Sequence, residues 1–241
     1  MNRRTWRDCL IREWAKRLVD IVLASVALTV LSPVLAAAAL SIRLSSPGPI
    51  LYRARRVGRN GKTFTMYKFR TMSVHQPPGA SAITAPHDPR VFPTGAWLRR
   101  RKIDELPQLI NILRGEMSIV GPRPEDVRIV SDHYAPLHLE TLQVPPGLTS
   151  PGSIYYYSSG ERLIAGGDPE ALYISRLLPI KLALEIVYIR EASLAYDLAI
   201  IFRTILVILL VALGKSEFPD PPEMERARPF ICPVRGEWET A

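Results

Sequence analysis

The chain has 241 residues, enough for one ordinary domain with a membrane-associated appendage and too few for two large domains. Hydrophobic residues make up 47% of it against 22% charged, which excludes a disordered chain and points to strong apolar clustering. A net charge of +8 favours an anionic partner: nucleic acid, anionic lipid or a phosphorylated substrate. Cys9 and Cys232 lie at opposite ends and the four His are scattered, so neither a disulfide framework nor a structural zinc site is expected.

Charge and apolar residues are segregated along the chain. Residues 1–17 carry six cations against two anions, residues 18–42 a single charge at Asp20, and residues 43–70 eight cations and no anion. The first 70 residues therefore hold +11 and the remaining 171 hold −3. Between the two basic flanks, residues 21–40 are free of charge and as a straight helix would run about 30 Å, the thickness of a bilayer core. The run is too long for a signal-peptide core and lacks a clear cleavage site.

Two features argue against a simple span. Ser32-Pro33 sits near the middle, where proline removes a backbone donor and crowds the preceding turn. The positive-inside rule asks for Lys and Arg on one side, whereas both flanks are basic. A helix-break-helix that enters and leaves by one face satisfies both, with Ser32 and Pro33 as the break; a kinked span with one basic flank outside is the alternative.

Beyond the turn-forming run Ser45-Ser46-Pro47-Gly48-Pro49, residues 50–57 and 62–70 read as two strands joined by Gly58-Arg59-Asn60-Gly61, a hairpin signal. Period-two alternation would put Phe64, Met66, Lys68 and Arg70 on one face. The Pro-rich residues 75–89 read as a loop. Leu106, Leu109, Ile110 and Leu113 have the spacing of a buried helix face, with Asp104 as N-cap, Pro107 in the first turn and Gly115 near the end. Residues 125–140 suggest another helix, residues 144–160 an irregular stretch, and residues 168–189 and 194–213 two more helices. In the last, Asp197 and Arg203 leave a clean apolar run of only ten residues, so an interfacial or core helix is expected rather than a span. The tail from Lys215, rich in Pro and Glu, reads as poorly ordered. The organisation expected is a basic N-terminus with a re-entrant helix over 1–46, a catalytic unit over 47–214 and a loose tail over 215–241.

Asp104-Glu105 is a carboxylate pair at a helix start behind the cations Arg99, Arg100, Arg101 and Lys102. A helix N-terminus and clustered guanidinium groups suit a diphosphate, and both lower the pKa of a nearby carboxylate, keeping it available as a nucleophile or Mg2+ ligand. Gly121-Pro122-Arg123-Pro124 is a rigid turn that would aim Arg123. Each feature alone also reads as an ordinary cap, a solvated strand face or a surface loop.

Taken in order, Lys16-Arg17 before an apolar helix with Ser32-Pro33, then Arg56-Val57-Gly58, Tyr67-Lys68-Phe69-Arg70-Thr71-Met72, Leu98-Arg99-Arg100, Asp104-Glu105-Leu106-Pro107-Gln108-Leu109, Asn111, Gly115, Met117-Ser118 and Gly121-Pro122-Arg123-Pro124 resemble the bacterial sugar transferases. These are monotopic polyprenyl-phosphate phosphoglycosyl transferases, and the likeness, over about residues 13–213, is to the short form that holds the catalytic domain alone. It implies an α+β, mostly helical fold with a re-entrant membrane helix, a β-hairpin and amphipathic interfacial helices around a small catalytic core.

The resemblance also implies a reaction. A sugar-1-phosphate would pass from a nucleoside diphosphate sugar, usually a UDP-sugar, through a covalent intermediate on Asp104 to polyprenyl (undecaprenyl) phosphate at the cytoplasmic face of the bacterial inner membrane, with release of UMP. Glu105 would assist, Asp104 and Glu105 would bind Mg2+, and Lys68, Arg70, Arg99 and Arg123 would contact phosphate. Anionic membrane lipid is a further expected partner and nucleic acid is not; a homodimer is left open. The chain departs from the family's pattern at Arg101-Lys102, where small hydroxyl residues are common, and at Ser150-Pro151-Gly152-Ser153, where Gly-Trp commonly follows Thr149. A membrane-anchored basic protein that docks anionic lipid or an assembly partner without catalysis is the competing reading; it has no need of an Asp-Glu helix start with arginines.

Overall fold

The computed structural model of the chain describes residues 6–74, 83–84, 88–164, 167–232 and 234, with side chains from residue 13 onward except Glu161. Most of the Pro-rich stretch read as a loop lies outside the described residues.

Two helices open the chain, α1 (Trp6–Val30) and α2 (Ser32–Ser45). They meet at a bend of 61°. The cause is local. Pro33 has no N–H to give the Thr29 carbonyl, which instead accepts from the Ser32 hydroxyl at 2.8 Å. Ala24, Ala38 and Ile42 are buried, while Leu18, Val22, Val26, Val30, Leu40 and Leu44 stand exposed on the outer side.

The expected hairpin forms. Strands β1 (Leu51–Val57) and β2 (Thr63–Phe69) pair antiparallel from Leu51↔Phe69 to Val57↔Thr63. Asn60 (φ 57°) and Gly61 (φ 74°) take the left-handed conformations that the tight connection requires. The next helices are α3 (Pro93–Arg100) and α4 (Gln108–Leu113). The buried face of α4 differs from the apolar spacing: Gln108, Leu109, Asn111 and Ile112 point inward, whereas Ile110 and Leu113 are exposed. Polar groups win the inner face because Asn111 serves the hairpin directly, accepting from the Tyr67 amide at 3.0 Å and donating to the Thr65 carbonyl at 2.7 Å.

A second sheet, absent from the sequence reading, pairs β3 (Ser118–Val120) with β4 (Gly147–Thr149) in parallel. Each strand has three residues, too few to show an alternation. Between them lie α5 (Val127–His133) and a 3-10 segment, Pro136–Leu142; after β4 come α6 (Pro151–Tyr155), a π-helical turn, Tyr156–Gly160, and the short α7 (Glu161–Leu163). Then α8 (Pro169–Leu172) leads through a second π turn into α9 (Leu178–Glu191), the central helix, whose residues 181–188 are all buried.

Helix α10 (Leu194–Ala212) is longer in effect than its clean apolar run. Both interrupting charges are paired inward: Asp197 with Lys16 at 2.6 Å and with the Tyr188 hydroxyl, Arg203 with Glu223 at 2.6 Å. Leu198, Phe202, Ile205, Leu206 and Leu209 are left exposed. This is not a core helix, and its 19 residues, with a mean hydropathy of 2.3, are long and apolar enough to cross a membrane. The described part of the segment after it, read from the sequence as a loose tail, packs against the body. Helix α11 (Met224–Ala227) docks on α9 with Met224, Ala227 and Val234 buried, and Glu223 ties it to Arg203 and Tyr196. A few well-placed apolar residues and one buried carboxylate outweigh the polar average of the segment.

Candidate active site

Asp104 and Glu105 stand on a single 3-10 turn, Ile103–Glu105, wedged between α3 and α4. Asp104 is therefore not the cap of α4, whose N-terminal position is Pro107. The turn is entered through Lys102, which adopts φ 56°, and non-glycine residues rarely take this conformation. Tyr157 braces it: its hydroxyl donates to the Arg100 carbonyl at 2.6 Å, and the Lys102 ammonium lies 4.4 Å from the centre of its ring.

Three segments converge on the pair. Arg123, in the turn after β3, grips Glu105 with two parallel hydrogen bonds of 2.6 and 3.0 Å. Lys68, on β2, reaches the same carboxylate at 3.3 Å, and Lys102 lies 3.9 Å away. Asn111 sets this register by binding the backbone of β2 on either side of Met66. Arg99, in the last turn of α3, adds its positive charge to the field at Asp104.

Arg70 does not join them. Strand β2 ends at Phe69, and the Arg70 guanidinium turns the other way, donating to the carbonyls of Pro49 at 2.6 Å and Ser46 at 2.8 Å and to the Ser46 hydroxyl. Ser46 is the C-cap of α2, so Arg70 clamps the end of the N-terminal helix pair to the hairpin.

The two carboxylates are electrostatically unlike, where the sequence suggested that both would be lowered. Burial acts to raise Glu105, but Arg123, Lys68 and Lys102 hold its carboxyl well below the ordinary range. Burial and the adjacent Glu105 charge raise Asp104, against the pull of Lys68, Lys102 and Arg99. Burial also lowers the Lys68 ammonium to about 8 despite Glu105 beside it. Such a split between neighbouring carboxyl groups is the usual basis for giving them different tasks.

Asp104 is buried, and its Oδ1 has no hydrogen-bond partner. Leaving a buried carboxylate oxygen unpaired costs about 1–3 kcal/mol, so this atom fits a cation or a phosphoryl group arriving from outside. Mg2+ commonly takes one or two protein carboxylates and completes its shell with water and substrate phosphate. Asp104 fits that pattern. Glu105, with both oxygens held by Arg123 and one also by Lys68, fits the role of organising cations better than that of a metal ligand. Among the described residues no cluster of three or more His, Cys, Asp or Glu is arranged around a metal site.

Residues 11–211 match the family model described as bacterial sugar transferase. The chain belongs to this family. Among curated relatives, it is 39% identical over 196 residues to the UDP-glucose:undecaprenyl-phosphate glucose-1-phosphate transferase of Escherichia coli (strain K12), covering 79% of this chain and 39% of that protein. It is 35% identical over 201 residues to the UDP-N-acetylgalactosamine-undecaprenyl-phosphate N-acetylgalactosaminephosphotransferase of Aeromonas hydrophila, covering 83% and 44%. With the exopolysaccharide production protein ExoY of Rhizobium meliloti it shares 36% over 213 residues, covering 81% and 86%. The chain thus spans less than half the length of the first two relatives and most of the third.

Within this bacterial sugar transferase fold, sequence reasoning missed a second charged layer behind the site. Lys181 of α9 is paired with Glu125, and both meet the Tyr173 hydroxyl at 2.7 Å. Glu185, one turn along α9, accepts from the Ser150 hydroxyl at 2.6 Å. Lys181 and Glu185 carried a signal in their i, i+4 spacing within an otherwise apolar helix, where charges are kept only when paired. Gln108 was passed over as well: it is fully buried, and neither its amide oxygen nor its nitrogen has a hydrogen-bond partner.

Proposed function

We propose that this chain transfers a sugar-1-phosphate from a UDP-sugar to undecaprenyl phosphate as the first membrane step of surface glycan assembly. The observation that carries the reading is the unpartnered Asp104 Oδ1 beside the Arg123–Glu105–Lys68 array. The relatives' names, which join UDP-sugars to undecaprenyl phosphate, support the two substrates.

In the first half-reaction an Asp104 oxygen attacks the sugar-linked phosphorus. The bond from that phosphorus to the bridging oxygen breaks, and UMP leaves with the electron pair. In the second half-reaction a phosphate oxygen of undecaprenyl phosphate attacks the same phosphorus, the bond to Asp104 breaks, and a lipid diphosphate sugar departs. Asp104 is freed without an external reactant. Mg2+ held at Asp104 would offset diphosphate charge. Lys68, Arg99 and Lys102 supply the fixed positive field, and Glu105 keeps Arg123 and Lys68 in register for the phosphoryl oxygens.

The test is UMP release across a panel of UDP-sugars with Mg2+ and undecaprenyl phosphate. Without the acceptor, a burst of UMP close to one equivalent per protein is expected from the covalent route. No UMP from any sugar overturns the function, and release that strictly requires the acceptor overturns the covalent step.

The proposed setting is the inner membrane with the site on its cytoplasmic face. The bend at Ser32-Pro33 and the basic residues on both flanks support a re-entrant hairpin, and the +11 of the first 70 residues suits anionic headgroups. The exposed apolar face of α10 supports a further contact with the lipid. In a Cys9→Ser, Cys232→Ser background, Trp14→Cys and Leu44→Cys should react with an impermeant thiol reagent from the same side of sealed vesicles. Reaction from opposite sides overturns the hairpin.

A further inference from the structure

Two loops leave the short parallel sheet side by side. The Gly121-Pro122-Arg123-Pro124 turn follows β3, and Ser150 follows β4. They are stitched together by Gly121 N–H to the Thr149 carbonyl at 3.0 Å and Gly147 N–H to the Pro122 carbonyl at 2.8 Å. Behind both stands Glu185, 1% exposed on α9. Its Oε1 accepts from the Ser150 hydroxyl at 2.6 Å and from the Arg123 main-chain amide at 3.5 Å, while Oε2 has no hydrogen-bond partner. Gly152 permits the approach, since a Cβ there would come within 2.6 Å of Glu185 Oε1 and 2.9 Å of the Lys181 carbonyl.

We propose that Glu185 is a positioning residue for the transfer: through Ser150 and the Arg123 amide it sets the turn that aims the Arg123 guanidinium at Glu105. The inference rests on the reaction proposed above. It deepens that reading by placing a control point outside the groups that meet substrate. Arg123 can hold two carboxylate oxygens at once only if its backbone is fixed; Pro122 and Pro124 restrict that backbone and the Pro122 carbonyl is tied to Gly147, but neither holds the Arg123 amide itself. Glu185 supplies the anchor from the most deeply buried helix.

A buried carboxylate is a costly anchor if an amide would serve. Ionisation is what distinguishes them. Burial pushes the Glu185 carboxyl up to about 7, with Glu125 adding to the rise; the Ser150 hydrogen bond, the Lys181 charge and the Arg123 amide pull the other way. The other groups around it are the Tyr134 phenol, raised well above its usual value by burial, and Tyr173 behind Lys181. On the 3-10 segment packed against α9, His138 accepts the Ala135 amide through Nδ1, and burial lowers its pKa. Above neutrality Glu185 is a charged acceptor that holds both donors strongly; below it, a neutral and weaker one. The aim of Arg123 should therefore tighten as pH rises through about 7. The stability contribution runs oppositely. A carboxyl whose folded pKa lies above its unfolded one binds more protons when folded, so its presence lowers stability progressively as pH rises from the unfolded value through about 7, and by a constant amount above that.

The experiment compares wild type with Glu185→Gln, which keeps size and hydrogen bonding but not ionisation. Two readouts are followed from pH 5 to 8. In UMP release, kcat of the variant at pH 8 should fall roughly tenfold, the worth of a charge-assisted over a neutral bond. KM for the UDP-sugar should change less than about twofold, and the acid-side inflection near 7 should be lost. In thermal unfolding, the variant should gain on wild type as pH rises. A variant with unchanged kcat and an unchanged pH profile overturns the positioning role, and a stability difference independent of pH overturns the ionisation that underlies it. If wild type itself releases no UMP, the transfer reaction falls, while the unfolding readout still decides whether Glu185 titrates in the fold.

Discussion

Asp104→Asn is expected to reduce UMP release from the preferred UDP-sugar by about four orders of magnitude or more, as loss of a nucleophile does elsewhere. The substitution removes the negative charge and replaces one carboxylate oxygen with NH2 while leaving the shape of the 3-10 turn intact. Because Asp104 makes no hydrogen bond through Oδ1, nothing in the fold depends on that atom, and the thermal midpoint should hold or rise. The rise has a cause: a buried carboxyl pressed by the Glu105 charge becomes a neutral amide. Membrane association through α1, α2 and the basic flanks, as proposed above, should be unchanged. The burst of UMP without acceptor should vanish together with steady-state turnover. A variant that retains wild-type turnover rules out Asp104 as the attacking group, and one that loses folding along with activity shows instead that the carboxylate is structural.

The contrast between Asp104 and Glu105 shows what could be read from the sequence. Their adjacency behind four cations pointed to a phosphate site, and the family resemblance implied Asp104 as the nucleophile. What adjacency could not give is which carboxylate is tied down. That depends on Arg123, 18 residues away, and on Lys68, 37 residues away, reaching one carboxylate and not the other. The hairpin was legible because Asn-Gly chemistry is local, and so was the break at Ser32-Pro33. Arg70 was misplaced because strand parity was extended one residue past the strand's end, where the chain turns to meet the C-cap of α2. The inner face of α4 was misread because the apolar-inside rule fails where a buried amide must hold a sheet edge. The docked tail depends on long-range partners, Arg203 and α9, that no local window contains.

Lys181→Met should destabilise the protein more than any other single change behind the site. Lys181 and Glu125 are both buried, paired with each other and bridged by Tyr173. Removing one member of a buried pair costs about 3–5 kcal/mol, because the remaining charge is stranded. For a chain of this size that corresponds to a fall in the thermal midpoint of very roughly 6–20 °C, measured in detergent micelles. The direction with pH follows from Glu125. Burial alone would raise its carboxyl, but Lys181 and the hydrogen bonds from Lys181 and Tyr173 hold it below the ordinary value. Its stabilisation is therefore present above the unfolded carboxyl pKa and is lost as pH falls through the lower folded value. In Lys181→Met the stranded carboxyl should take up a proton at higher pH, so the deficit relative to wild type should be largest near neutrality and shrink in acid. Replacing both partners, Glu125→Leu with Lys181→Met, should recover a large part of the loss, since two apolar groups leave no charge to solvate. A double variant as unstable as Lys181→Met alone would mean that the lysine acts through its ammonium over the Tyr156 and Tyr173 rings, 5.9 and 5.2 Å from their centres, rather than by neutralising Glu125.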